Sequence, residues 1–120
     1  MREHWDVPSL RYRLVEGDVT LFKGVELLET SGHVPGHQSL LVRLPQTGPI
    51  LLAIDAVPTA SQMNPDTRVV FPINDEDEAS TRARTRKLVE VARRERVALI
   101  IYGHDHKQWP TLKHAPQYYS

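Results

Sequence analysis

The chain has no cysteine. That excludes a disulfide framework and every thiolate ligand, so a transition-metal site would have to draw on the six histidines and the carboxylates. Excess charge is missing too, since 15 Lys and Arg balance 15 Asp and Glu. Without the basic surplus that phosphate binding leaves behind, nucleic acid is not an expected partner. No uninterrupted apolar run approaches the roughly 20 residues of a membrane span. The polar opening from Met1 to Arg11 lacks the apolar stretch of a secretory leader. The expectation is a cytoplasmic protein without membrane attachment. What is present suits a folded chain: 40% hydrophobic and 25% charged residues lie in the globular range, and 120 residues make one domain or part of one.

The organisation changes once, near residue 58. Before it, short aliphatic and β-branched segments alternate with turn signals: Leu10–Val15, Val19–Phe22, Val25–Thr30, Ser39–Leu44 and Ile50–Ile54. Turns this short cannot make parallel crossovers, so the segments predict an antiparallel meander. The nearly continuous apolar runs at Leu40–Val42 and Ile50–Ile54 predict a sheet covered on both faces. Residues 57–74, with Pro58, Pro65 and Pro72, predict an irregular excursion. A helix follows, capped by Asn74 or Asp75, with Asp75 and Glu78 at capping-box spacing. Acidic residues open this helix and Arg93, Arg94 and Arg96 close it, which complements its dipole. Ala79, Ala83, Leu88, Val89 and Ala92 supply its predicted buried stripe, and the arginines between them a solvated face. Val97–Tyr102 is one further buried strand. The fold class expected is α/β: a mixed, mostly antiparallel sheet with one long helix packed on it.

Metal-competent side chains concentrate where three of these strands run out: His33 and His37 after the third segment, Asp55 after the fifth, His104 and His106 after the last. Loops at strand ends are where sheets collect their sites. Imidazole and carboxylate suit zinc, manganese or iron. An acid directly after five apolar residues must be paired, hydrogen-bonded or metal-bound if the strand end is buried, or else it forms a turn or caps the next segment.

Three stretches, Thr30–Ser39 (TSGHVPGHQS), Leu51–Ala56 (LLAIDA) and Tyr102–Asp105 (YGHD), closely resemble the second half of the metallo-β-lactamase superfamily. Within it they are most similar to the N-acyl homoserine lactonases and related lactonases. The similarity runs from about Leu10 to Tyr119. It implies the C-terminal half of a four-layer αβ/βα sandwich, residues 1–120 forming a partial domain. It also implies two divalent metals: zinc first, with manganese, iron or cobalt as other choices. By this resemblance His33 binds the first metal, His104 the second, and Asp55 bridges both as the catalytic carboxylate. His37 matches a histidine that does not bind metal and fixes the loop or a ligand. Tyr102 and His106 stand on the substrate side. The implied reaction is the opening of a lactone or ester by a hydroxide between two metals.

The departures are as informative. Such enzymes carry an H-x-H-x-D-H motif upstream, and none precedes residue 33, where His4 is the only earlier histidine. After His104 and His106, Gln108 and Trp109 replace the Asp and His that would complete that motif. The ligand set is therefore incomplete, and the expectation is an inactive fragment that pairs with a missing N-terminal half or self-associates through its sheet face. Pro58 stands where acyl homoserine lactonases place a tyrosine that contacts the substrate carbonyl. The competing readings are a glyoxalase II-like thioesterase and a non-catalytic interaction module.

Overall fold

The aliphatic segments pair in sequence order. In the computed structural model, which describes residues 7–72, 75 and 77–120, strands β1 (Val19–Phe22), β2 (Val25–Glu29), β3 (Gln38–Leu44) and β4 (Gly48–Ile54) form an antiparallel meander. Helix α1 (Glu78–Arg94) then crosses over and delivers β5 (Leu99–Tyr102) parallel to β4, at the end of the order β1-β2-β3-β4-β5. Among its described residues, the excursion between β4 and α1 holds one 3₁₀ turn, Ala60–Gln62.

Strand alternation sends alternate residues to opposite faces. Leu28, Leu41, Leu51 and Ala53 share a buried core with Leu88 and Val91 of α1 and with Ala56 and Val57 beyond β4. On the other face the registers line up two apolar rows, Val19-Leu27-Leu40-Leu52-Ile101 and Val25-Val42-Ile50-Leu99. Only Ile50 of these is buried; the rest are half-buried by one another. The chain exposes 8438 Å², against about 6,600 Å² for a folded monomer of this mass. The Cα radius of gyration of 15.1 Å likewise exceeds the roughly 13.6 Å of a compact domain this long. One face of the sheet is packed by the helix, and the other is an apolar surface.

Four expectations need correction. Leu10–Val15 is not a strand: Leu10, Tyr12 and Leu14 are exposed and the segment joins no strand among the described residues, and an unpaired strand leaves its backbone groups without partners. The helix starts later, with Asp77 as N-cap accepting from Ala79 N–H at 3.0 Å. Asp75 is buried before it and serves another purpose, while Asn74, like His4, lies outside the described residues. The buried stripe is Thr81, Thr85, Leu88 and Val91, with Ala92 packed beside it, whereas Ala79, Ala83 and Val89 are exposed. The spacing 81, 85, 88, 92 is helical, and the threonines disguised it. Thr85 returns its hydroxyl to the Thr81 carbonyl at 2.8 Å, so it can be buried without a polar debt. Finally, β5 is half-buried rather than buried, because its position leaves it one sheet neighbour.

The arginine-rich face is also more engaged than a solvated surface. Arg84 meets Glu29 at 2.8 Å, Lys87 meets Asp18 at 2.5 Å and the Glu29 carbonyl at 2.7 Å, and Arg82 donates to the Pro65 carbonyl at 2.8 Å. These contacts tie α1 to the β1–β2 edge and to the excursion.

Candidate metal centre

Asp55 leaves the sheet through a strained turn. Ile54 has φ +54°, a left-handed conformation that a β-branched residue adopts at a cost on the order of 1–3 kcal/mol. The register between β4 and β5 shifts at the same place. The strain is held from across the sheet: Gly103 N–H donates to the Ile54 carbonyl at 3.2 Å. A Cβ on Gly103 would lie 2.6 Å from Asp55 Oδ1 and 2.9 Å from the Ile54 carbonyl carbon. Gly103 is thus the gap into which the Asp55 turn fits, and the next residue, His104, lands beside the carboxylate. His104 Nε2 is 2.9 Å from Asp55 Oδ1, and its backbone N–H donates to the Pro58 carbonyl at 2.9 Å.

His33 arrives from the β2–β3 loop. Gly32 lets that loop lie against the first turn of α1, where a Cβ would sit 2.7 Å from Thr81 N. The Gly32 carbonyl accepts from Asp77 N–H at 3.1 Å. So placed, His33 turns Nε2 toward Asp55 Oδ2 at 3.9 Å and Nδ1 toward Asp75 Oδ1 at 3.4 Å. The two histidines therefore address opposite oxygens of one carboxylate. They open on a cavity of about 420 Å³ that Pro58, Gln62, Arg68 and Phe71 also line.

His37 does not touch Asp55. Its Nδ1 is 2.8 Å from Thr30 Oγ1, which is 3.1 Å from Ser39 Oγ, which donates to the Ala53 carbonyl at 3.0 Å. Because Ser39 has spent its proton on Ala53, Thr30 donates to Ser39 and His37 Nδ1–H donates to Thr30, an assignment made from the network. Burial holds the His37 imidazole below its ordinary pKa. Its ring meets His33 edge-on, with centroids 6.2 Å apart.

Tyr102 and His106 line a neighbouring cavity of about 240 Å³ with Gln108 and Trp109, and among the described residues only His104 lines both cavities. Burial, then Asp105, raises the Tyr102 phenol. Asp105 shapes the loop by accepting from Ala60 N–H at 2.8 Å and from Lys107 and Gln108 N–H at 3.0 Å. These backbone bonds hold its carboxyl below the usual range. Asp75 and Arg68, both buried and lining the cavity with His33, carry no functional signal in the sequence. Asp75 reads as a helix cap, and nothing around Arg68 in the sequence marks it out.

Chemically, the three side chains offer one imidazole on each side of a carboxylate that could bridge two ions. Among the described residues no three His, Cys, Asp or Glu side chains converge on one point. A catalytic zinc takes about three protein ligands and a structural one about four. The described residues fit part of a two-ion site and do not complete one.

No protein-family profile matches the chain. Among known proteins, an N-acyl homoserine lactonase of a Bacillus species is 38% identical over 112 residues, 93% of this chain and 43% of the relative. The N-acyl homoserine lactonase AttM of Azorhizobium caulinodans is 35% identical over 125 residues, 99% of this chain and 46% of the relative. Among solved structures, an N-acyl homoserine lactone hydrolase with the product N-hexanoyl-L-homoserine at its catalytic metal centre superposes with a TM-score of 0.86 at 35% identity, over 99% of this chain and 45% of that one. The chain thus spans somewhat under half the length of the relatives it matches. Over nearly all of its own residues it resembles the N-acyl homoserine lactonases in sequence and shares the metallo-β-lactamase type of fold with their structures.

Proposed function

We propose that this chain is the second half of a lactone-opening metallo-hydrolase, contributing His33, Asp55 and His104 to a two-ion centre. The observation that carries this is the placement of His33 and His104 on opposite oxygens of Asp55, 3.9 and 2.9 Å away, at the mouth of one cavity. The relatives support the substrate class, since their names state lactone hydrolysis and one structure holds a ring-opened product at its metal centre.

Two divalent ions, zinc by preference, supply such a centre with a hydroxide at neutral pH and polarise the ester carbonyl. In this chain His33 and His104 would each hold one ion and Asp55 would bridge them. The strained Ile54 turn keeps that carboxylate clear of the sheet edge, and Thr30, His37 and Ser39 hold the loop that carries His33. Pro58 lines the cavity without a hydroxyl. It cannot donate to a substrate carbonyl as a tyrosine would, which leaves room for lactones or esters other than acyl homoserine lactones.

The missing ligands must come from another segment. The apolar rows through Leu27, Leu40, Leu52 and Ile101 offer the surface for it, and the excess of exposed area over a compact monomer is of the size that permanent interfaces bury. By itself the chain is then catalytically inert, and the shortage of ligands among the described residues is what favours the competing reading of a non-catalytic interaction module.

Calorimetric zinc titration of the chain, with Asp55→Ala and His104→Ala, tests the reading. We expect weak binding by the parent chain, lost in both variants. Zinc affinity unchanged in Asp55→Ala would sink the proposal.

A further inference from the structure

His33 is gripped from behind by a buried pair of charges. Asp75 is 7% exposed and Arg68 3%. Arg68 Nη1 donates to the Ala56 carbonyl at 2.7 Å and to Thr85 Oγ1 at 2.6 Å, which fixes the guanidinium against the core. Its Nη2 lies 4.0 Å from Asp75 Oδ1. The Asp75 carboxylate is fixed at its other oxygen, where Oδ2 accepts from Phe71 N–H at 3.1 Å. Oδ1 then faces His33 Nδ1 at 3.4 Å. The result is a line from Arg68 through Asp75 and His33 to Asp55.

We propose that Asp75, held by Arg68 and by the Phe71 amide, is a positioning residue that fixes the tautomer and ring orientation of His33. An ionised carboxylate can only accept. The buried Arg68 guanidinium, with Nη2 4.0 Å from Oδ1, is the counter-ion of that carboxylate. The ring nitrogen that faces Asp75 must therefore carry the proton. A neutral imidazole has one such proton, so Nε2, directed at Asp55, is left with a free lone pair. That is the state a nitrogen needs to act as a ligand, and a carboxylate behind a ligating histidine commonly secures it. Left to itself, neutral histidine prefers the opposite tautomer, with the proton on Nε2. The inference rests on the reading of His33 as a ligand, but it concerns the ring itself and can be read without any metal.

The test is long-range ¹H–¹⁵N correlation of the histidine rings in the 120-residue chain, at about pH 8.5, roughly two units above the ordinary imidazole pKa. The expected result is His33 protonated at Nδ1. In Asp75→Asn the amide keeps its oxygen on the Phe71 N–H and turns its NH₂ to His33, so the proton should move to Nε2 in more than half of the population. A parent chain with His33 protonated at Nε2 overturns the proposal, as does a folded Asp75→Asn whose His33 tautomer is unchanged. If Asp75→Asn does not fold, the parent spectrum alone decides. A general structural role for Asp75 would change stability without inverting a tautomer. Zinc titration fails or succeeds separately, so loss of the ligand reading and loss of this one are distinguishable.

Discussion

Replacing Gly103 with alanine should damage both the fold and the site, for one steric reason. The added Cβ would sit 2.6 Å from Asp55 Oδ1 and 2.9 Å from the Ile54 carbonyl carbon and oxygen. The carboxylate can turn away, but the Ile54 backbone cannot, since it is bonded to Gly103 N–H and anchored between β4 and β5. The two strand ends must part by several tenths of an ångström. Overpacking of this kind costs about 1–3 kcal/mol, which for a chain of this length lowers the melting temperature by about 3–15 °C. Asp55 should also swing away from His104, since the group that lets them approach is gone. Thermal unfolding followed by circular dichroism measures the first effect, and the ring resonances of His104 report the second. Gly17→Ala is the control. Its Cβ meets nothing within 4 Å and only the φ of +67° is strained, so it should cost about 1–2 kcal/mol and leave His104 unmoved. A Gly103→Ala chain within about 0.5 kcal/mol of the parent, with His104 unshifted, would refute the reasoning.

Three further outcomes follow from the packing and the charges. Leu88→Ala should destabilise by about 2–5 kcal/mol and Val89→Ala by no more than about 0.5 kcal/mol, because Leu88 is fully buried and Val89 is 38% exposed; urea denaturation would expose equal losses if the helix were rotated otherwise. Burial works to raise the Asp18 carboxyl, but Lys87 and the Glu29 amide outweigh it and hold it below the usual aspartate value. Its contribution to stability is then complete above the unfolded value and is lost as pH falls through the folded one, so Asp18→Asn should flatten the acid limb below about pH 4. An acid limb unchanged by that substitution would contradict the Lys87 contact. Leu40→Lys, on the apolar face, should leave the monomer folded but abolish any self-association seen by light scattering, since a charge in the middle of that surface cannot be buried unpaired.

The order of elements was legible in the sequence because strands and turns are local. Aliphatic runs separated by turn residues placed β1 to β5 within a few residues. The wrong strand at Leu10–Val15 shows the limit: its composition suits a strand, but a strand exists only where it pairs, and among the described residues this segment joins no sheet edge. The helix was legible in extent but its buried stripe only in part, because Leu88 and Ala92 are apolar while Thr81 and Thr85 are not, and Thr85 is buried against Arg68, which arrives from the segment before the helix.

The site divides in the same way. Sequence alone determined which residue types could serve, with no thiol available and His33, Asp55 and His104 each at the end of an apolar segment. Tertiary structure decided that His33 and His104 reach opposite oxygens of Asp55 while His106 and Tyr102 turn to a separate cavity. It also decided what Gly32, Gly103, Asp75 and Arg68 are for. Each of these acts on a residue far off in the chain, across the sheet or from the segment before the helix, and close approach between distant segments leaves no periodic trace in a sequence.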